Sequence, residues 1–145
     1  MIDPLDEVKY RYRLAINYLK EANDAFSRSD WRGTVASAQL STENAAKAII
    51  AVYKIPSWSH DPSDELESIT SNLPGNLIEL VKELAIIVKR LAPEHGRSTY
   101  GEPEHGLTPW DIYSKHDAEA SLSMAKRAVD IMRAILKSLG LEISG

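Results

Sequence analysis

The stretch DWRGTVASAQLSTENAAKAIIAVYKIP, residues 30–56, says most about the fold of this 145-residue chain. Small and aliphatic residues recur in it every three or four positions, which is the spacing of one face of an α-helix. Asp30 is a residue type typical of the position just before a helix, and Pro56 cannot continue one. Because its alanines let a neighbouring helix approach closely, we predict that this helix lies centrally in a helical bundle.

Three more long helices and one short helix are predicted from the same kind of evidence. Asp3-Pro4 and Asp61-Pro62 are start signals, since proline suits the first helical turn. Ser114 and Asp117 have the spacing of a capping box, and Gly140 suits a helix end. The five predicted helices cover approximately residues 4–27, 31–52, 62–72, 77–91 and 115–139.

No segment shows the sustained alternation of apolar and polar residues that is typical of a β-strand. From Pro93 the chain becomes rich in glycine and proline, which favours a loop. We therefore predict an all-α, up-and-down four-helix bundle with one additional short helix and a long loop before the last helix. Residues 1–145 are expected to form a single domain.

Composition narrows the possible functions. The chain has no cysteine, which excludes disulfides, thiolate ligands and cysteine nucleophiles and suits a reducing compartment. Its N-terminus lacks a basic leader and an apolar run, and no apolar stretch is long enough to span a bilayer, so we predict a cytoplasmic protein without membrane contact. With a net charge of −4, contact with nucleic acid or a nucleotide would require a local basic patch.

The last helix carries a second apolar row beside its main stripe. Ile78 and Ile86 likewise lie off the main stripe of the fourth predicted helix. An additional apolar side is buried either in the bundle or against another molecule, so bundle core and a homodimer interface both remain open. The second row consists of Ala120, Met124, Ala128, Ile131 and Ile135.

The segment PEHGRSTYGEPEHG, residues 93–106, lies next to the densest positive charge in the chain. Arginine binds phosphate through two parallel hydrogen bonds, Tyr100 can stack on a base, and the start of the last helix near His116 favours anions. One prediction is therefore a nucleotide or phosphate site; the other is that Arg97 and Tyr100 hold the long loop on the bundle. The positive cluster consists of Lys89, Arg90, His95 and Arg97.

Metal binding by this segment has little support in the sequence. Two histidines and two glutamates in a glycine-rich loop lack the spacing of a known zinc motif. Each Pro-Glu-His-Gly copy is better interpreted as a turn with a solvated, charged tip. We predict no metal site and no cofactor other than a possible nucleotide ligand.

Glu43 and Lys47 are spaced for a salt bridge between successive helical turns. A charged pair on an alanine-rich, buried helix needs further partners, and we expect Arg97 to be one. His60 and Asp61 are predicted to cap the short helix that follows them.

These elements occur in a characteristic order: a Glu and a Lys four residues apart, a loop ending in His60-Asp61, then Arg97 near Tyr100, and a closing amphipathic helix. The order resembles the HEPN family, the higher-eukaryote and prokaryote nucleotide-binding helical domain, over almost the whole chain. The resemblance implies a compact helical bundle that usually dimerises. Many small members are partners of a minimal nucleotidyltransferase, often as a toxin–antitoxin pair.

Other HEPN members are metal-independent ribonucleases, in which an Arg and a His four to six residues apart meet their symmetry mates across the dimer. Arg90 and His95 have four residues between them, but Leu91 stands where those members have a polar residue and Pro93 interrupts the helix. The leading hypothesis is thus a non-catalytic homodimer that binds a nucleotide or phosphate near Arg97 and pairs with a minimal nucleotidyltransferase. The alternative is a ribonuclease that uses Arg90 or Arg97 with His95 or His105.

Overall fold

The computed structural model describes residues 3–141 and 143. Throughout this part of the chain the regular structure is helical, apart from one isolated β-bridge between Glu102 and Leu107. The α-helices are α1 (Pro4–Ser27), α2 (Trp31–Ala51), α3 (Ser63–Ser68), α4 (Ile78–Leu91), α5 (Glu94–Tyr100), α6 (Pro109–Ile112) and α7 (Lys115–Ser138). Short 3₁₀ turns cover Thr70–Asn72, Gly75–Leu77 and Pro103–His105.

The predicted start signals of the long helices are confirmed. Asp3 accepts a hydrogen bond from the backbone N–H of Leu5, and Asp30 accepts one from Gly33. Ser114 and Asp117 form both halves of a capping box at the start of α7. Each of these bonds satisfies an N–H that the first helical turn leaves without a partner.

Contacts between the long helices give their directions. Ser41 of α2 donates to the carbonyl of Ala15 in α1, and three residues connect these helices, so they run antiparallel. In α7, Arg133 donates to the hydroxyl of Tyr12 of α1, while Leu122 and Ala125 pack with Ala22 near the opposite end of α1. Helices α1 and α7 are therefore antiparallel as well.

The fourth long helix completes the bundle. Arg127 of α7 pairs with Glu83 of α4, while Arg90 at the end of α4 lies beside Ala120 and Met124 near the start of α7. Helix α4 therefore runs antiparallel to α7, which confirms the up-and-down four-helix bundle. Helix α2 is its central element, with every residue from Ser41 to Ala51 buried.

The region predicted as a long loop contains two helices, which corrects that part of the prediction. Its two Pro-Glu-His-Gly copies also differ. The first copy provides the N-cap residue and the first three residues of α5, whereas the second forms the exposed 3₁₀ turn ended by Gly106 in the left-handed conformation. The prediction of two equivalent solvated turns is therefore wrong for the first copy. The short helix predicted over residues 62–72 is also divided, into α3 and a 3₁₀ turn.

The second apolar row of α7 lies mainly inside the bundle. Ala128, Ile131 and Ile135 are fully buried, Met124 is half-buried and Ala120 is exposed. On α4, Ile86 remains 65% exposed. The row therefore belongs largely to the core, and a homodimer would have to use other surface. Over residues 3–141 and 143, no helix has the length and apolar character that crossing a membrane requires.

Candidate functional site

Two groups of polar residues lie around the short helix α5. The first, the histidine cluster, connects α5 to the middle of α2 and to the loop before α3. The second, the arginine groove, lies between α5, the end of α4 and the start of α7. The histidine cluster consists of Gln39, Glu43, Lys47, His60 and His95. The arginine groove is defined by Arg90, Glu94, Arg97, Tyr113 and Asp117.

The Glu43 carboxylate is the centre of the histidine cluster. Glu43 and Lys47 are 5% and 3% exposed, and the Lys47 ammonium lies 3.1 Å from Glu43 Oε2. Glu43 Oε1 accepts from Gln39 Nε2 at 3.1 Å and faces His60 Nδ1 at 3.0 Å. The predicted salt bridge is present, but its additional partners are Gln39 and His60. The expectation that Arg97 would be a partner is wrong, because the side chain of Arg97 is bound by acidic groups in the arginine groove.

His60 and His95 stack on each other beside this carboxylate. Their ring centroids are 3.6 Å apart and their planes differ by 18°. His95 Nδ1 lies 3.1 Å from Gln39 Oε1. Burial, followed by the charge of His60, lowers the pKa of His95 below its ordinary value, although the charge of Glu43 opposes the shift. His95 is therefore neutral at physiological pH.

Donor and acceptor chemistry defines where the protons of this cluster lie. A carboxylate only accepts, so Gln39 presents its NH₂ group to Glu43 and its oxygen to His95. Because that oxygen also only accepts, His95 carries a proton on Nδ1. The same reasoning places a proton on Nδ1 of His60, which faces the carboxylate. When a ring with this proton position is neutral, Nε2 is the nitrogen with a free lone pair.

In the arginine groove, Arg97 is held by acidic groups on both sides. Its guanidinium pairs with Glu94 and lies 3.6 Å from Glu102, and it stands 5.7 Å from the centroid of the Tyr113 ring. Tyr113 donates its hydroxyl proton to the second oxygen of Glu94. Burial and then this hydrogen bond raise the pKa of Tyr113 far above its ordinary value, so the phenol stays protonated. Arg97 thus connects α5 to the segment before α7.

The other predicted binding residues are scattered. Arg90 lines the arginine groove, is exposed, and forms no ion pair with any residue that the structure describes. Lys89 is exposed beside it but is not among the groove residues. Tyr100 is 73% exposed, so it does not hold the segment on the bundle. His116 is exposed in the first turn of α7.

The candidate ribonuclease residues do not assemble into one site within the chain. Arg90 lines the arginine groove, whereas His95 faces Gln39 and His60. His105 is exposed on the 3₁₀ turn, where its Nδ1 lies 4.0 Å from the carboxylate of Glu104.

Three residues have roles around α5 that the sequence did not reveal. Gln39 lies on the apolar stripe of α2 and orients both Glu43 and His95. The sequence predicts a helix cap for His60, but its ring belongs to the cluster. Arg32 donates to the buried carbonyl of Ser98 and lies over the ring of Trp110. A glutamine among the apolar residues of a buried helix face was the sequence feature that could have identified Gln39. No local sequence feature indicated the roles of His60 or Arg32.

Comparisons with known proteins agree with the helical architecture. The family model described as HEPN domain matches residues 8–138. The crystal structure of TT1696 from Thermus thermophilus superposes with a TM-score of 0.68 at 20% sequence identity, covering 90% of this chain and 98% of that one. At this identity the likeness supports the fold alone. No significant match was found among curated proteins.

Proposed function

Because this chain belongs to the HEPN domain family, we propose that it binds a nucleotide or a phosphate group and acts as a homodimeric partner of a minimal nucleotidyltransferase, of the toxin–antitoxin type. The proposed ligand site is the arginine groove. The observation that carries the proposal is that Arg90, without an ion-pair partner among the described residues, lies in one groove with the Arg97 guanidinium and the Tyr113 ring.

The groove combines groups that suit a phosphate carrying an aromatic base. Arg90 is available for two parallel hydrogen bonds to phosphate oxygens, since no carboxylate neutralises it within the described part of the chain. Arg97 has its charge balanced by Glu94 and Glu102, so its contribution is to position the groove wall. Tyr100 is exposed at the end of α5 and available for stacking on a base. Asp117 also lines the groove, so we expect modest affinity.

Exposed aromatic surface supports the proposal of protein partners. Tyr100 and Trp110 are both 73% exposed and lie on α5 and α6. The Arg32 guanidinium lies over the Trp110 ring, 5.3 Å from the ring centroid. Aromatic and arginine side chains of this kind are enriched at protein interfaces. We propose the segment of α5 and α6 that carries them for contact with a second copy or with the nucleotidyltransferase.

The geometry favours binding over the ribonuclease alternative. A metal-independent cleavage needs an acid, a base and a cation around one phosphate. Arg90 lines the arginine groove, whereas His95 is stacked on His60 in the histidine cluster, so the two side chains belong to different sites of the protomer. Incubating RNA with the protein in EDTA tests the alternative directly. Cleavage that disappears in an Arg90→Ala, His95→Ala double variant would replace binding by catalysis as the proposed function.

Titration calorimetry with ATP, AMP and short RNA tests the binding proposal. We expect heat of binding for at least one ligand, and a loss of affinity of about tenfold in Arg90→Ala, corresponding to about 1.4 kcal/mol for a charged hydrogen bond. Lys89→Ala is the matched control, because it removes the same charge one residue away, from an exposed residue outside the groove. Equal losses in both variants, or no heat with any ligand, would refute the groove as the site.

Light scattering and genome context test the assembly. A homodimer has twice the chain mass of 16.1 kDa, and a mass near that of one chain at micromolar concentration would exclude it. A small nucleotidyltransferase in the adjacent reading frame that co-purifies with this chain would support the partnership. If a co-expressed nucleotidyltransferase does not associate, that part of the proposal is wrong.

A further inference from the structure

The histidine cluster has a chemical property that the proposed nucleotide site does not use. His60 and His95, separated by 34 intervening residues in the chain, are stacked face to face with both Nδ1 atoms engaged by α2 side chains. Each of them, like Glu43, offers one potential metal-ligand atom, a ring nitrogen or a carboxylate oxygen, and these three atoms lie within 4.8 Å of one another. We propose that His60 and His95 bind a divalent transition-metal ion through their Nε2 atoms.

The partners on Nδ1 are those that a metal-binding histidine requires. Such a histidine usually donates its other ring N–H to a carboxylate or a carbonyl, which selects the tautomer and makes the ligating nitrogen more basic. His60 donates to the Glu43 carboxylate and His95 to the Gln39 amide oxygen. Both acceptors are buried, so the rings are oriented by groups that do not move freely.

Glu43 itself is an orienting group in this site and not a ligand. Its two oxygens already accept from Gln39, Lys47 and His60, and a metal–oxygen bond would displace one of these donors. Displacing Lys47 would leave a buried ammonium without its partner, which is strongly unfavourable. The remaining coordination positions therefore belong to water or to an exogenous ligand on the solvent side of His60, whose side chain is 54% exposed.

The identity of the ion follows from the ligands. Imidazole nitrogen suits Zn²⁺, Ni²⁺ and Cu²⁺, whereas Mg²⁺ and Ca²⁺ prefer oxygen ligands. The ammonium of Lys47 balances the charge of Glu43, so the site has no excess negative charge to attract hard cations. We therefore assign the site to a borderline transition ion, with Zn²⁺ as the ion to test first.

Ion binding must change the stack. The two rings are stacked with nearly parallel planes, whereas two ligands of one ion must both point towards it. One ring has to tilt. His60 is the ring that can do so, because it lies on the loop before α3 and is half exposed, whereas His95 is held on α5. The bound ion would then connect that loop to α5, next to the arginine groove.

The four histidines of the chain provide matched variants. Calorimetric titration of tag-free, EDTA-treated and dialysed protein with ZnCl₂ is expected to show one ion per chain, with no binding of MgCl₂. His60→Ala and His95→Ala are each expected to lower Zn²⁺ affinity by at least about tenfold. His105→Ala and His116→Ala remove the same side chain from exposed positions outside the cluster and should leave affinity unchanged.

Two results would overturn the proposal. One is a Zn²⁺ affinity that is absent in the unmodified chain, or that falls equally in all four variants. The other is a nitrogen-15 NMR result for the imidazole rings. In the metal-free protein we expect His60 and His95 to be protonated on Nδ1. On addition of Zn²⁺ we expect their Nε2 signals to shift. Protonation on Nε2 in the metal-free rings, or signals that do not respond, would contradict it. His60 is half exposed on a loop, so its variant is expected to fold, and circular dichroism checks this.

Discussion

Replacing Glu43 by glutamine should destabilise the protein strongly although it changes almost no volume. The carboxylate is 5% exposed and accepts from three side chains, of which Lys47 is 3% exposed. The Glu43→Gln variant leaves the Lys47 ammonium buried without its counter-charge. It also replaces one accepting oxygen by an NH₂ group that competes with a present donor.

The expected loss follows from the burial of both partners. Removing one member of a buried ion pair lowers the free energy of unfolding by about 3–5 kcal/mol, because the remaining charge is uncompensated. That is a substantial part of the stability of a chain of 145 residues, which is on the order of 10 kcal/mol. Lys47→Met should have a smaller effect, because Glu43 keeps Gln39 and His60 as donors. The Glu43→Gln, Lys47→Met double variant should be more stable than Glu43→Gln alone.

Urea-induced unfolding followed by far-ultraviolet circular dichroism measures these differences. Protein concentration is held constant, since dimerisation would make stability concentration-dependent. Glu79→Gln is the control: Glu79 pairs with Lys82 at a spacing of three residues on α4, but its side chain is 88% exposed, so no measurable change is expected. A loss below about 1 kcal/mol for Glu43→Gln would show that the pair is solvated and would refute the reasoning.

Three further predictions concern two glycines and one helix cap. Gly101 has φ +70°, and a Cβ there would lie 2.3 Å from the carbonyl oxygen of Leu107, so Gly101→Ala should lower the free energy of unfolding by at least about 2 kcal/mol. Gly106 has φ +69° with no atom near a Cβ, so Gly106→Ala should lower the free energy of unfolding by only about 1 kcal/mol. Equal losses in Gly101→Ala and Gly106→Ala would contradict the steric argument. Asp30→Ala removes the acceptor for the N–H of Gly33 and should lower the free energy of unfolding by about 1 kcal/mol. The same urea titrations measure this loss. An unchanged unfolding midpoint would mean that water replaces the cap.

The helix starts were predictable because their signals are local. Asp3, Asp30 and Ser114 each bond to a backbone N–H within three residues, so a short window of sequence contains the whole interaction. The pairing of Glu43 with Lys47 was predictable for the same reason, since one helical turn separates them.

Helix α5 was not predictable from its own residues. Its first turn contains Gly96 and follows Pro93, which locally favours a loop. In the structure its side chains and carbonyls bind distant groups, with His95 contacting Gln39 and the carbonyl of Ser98 accepting from Arg32. Tertiary contacts of this kind override weak local preference, and a single sequence does not display them.

The sequence by itself determined the helical class, the starts of the long helices and the central place of α2, because these depend on periodicity and on capping over a few residues. Only the tertiary structure decided which polar residues meet. His60 joins Glu43 and His95 across gaps of 16 and 34 intervening residues, and Arg97 turns to Glu94, Glu102 and Tyr113 instead of the buried pair. The physical reason is that buried charges and hydrogen-bonding groups must be satisfied wherever the packed helices bring partners within reach.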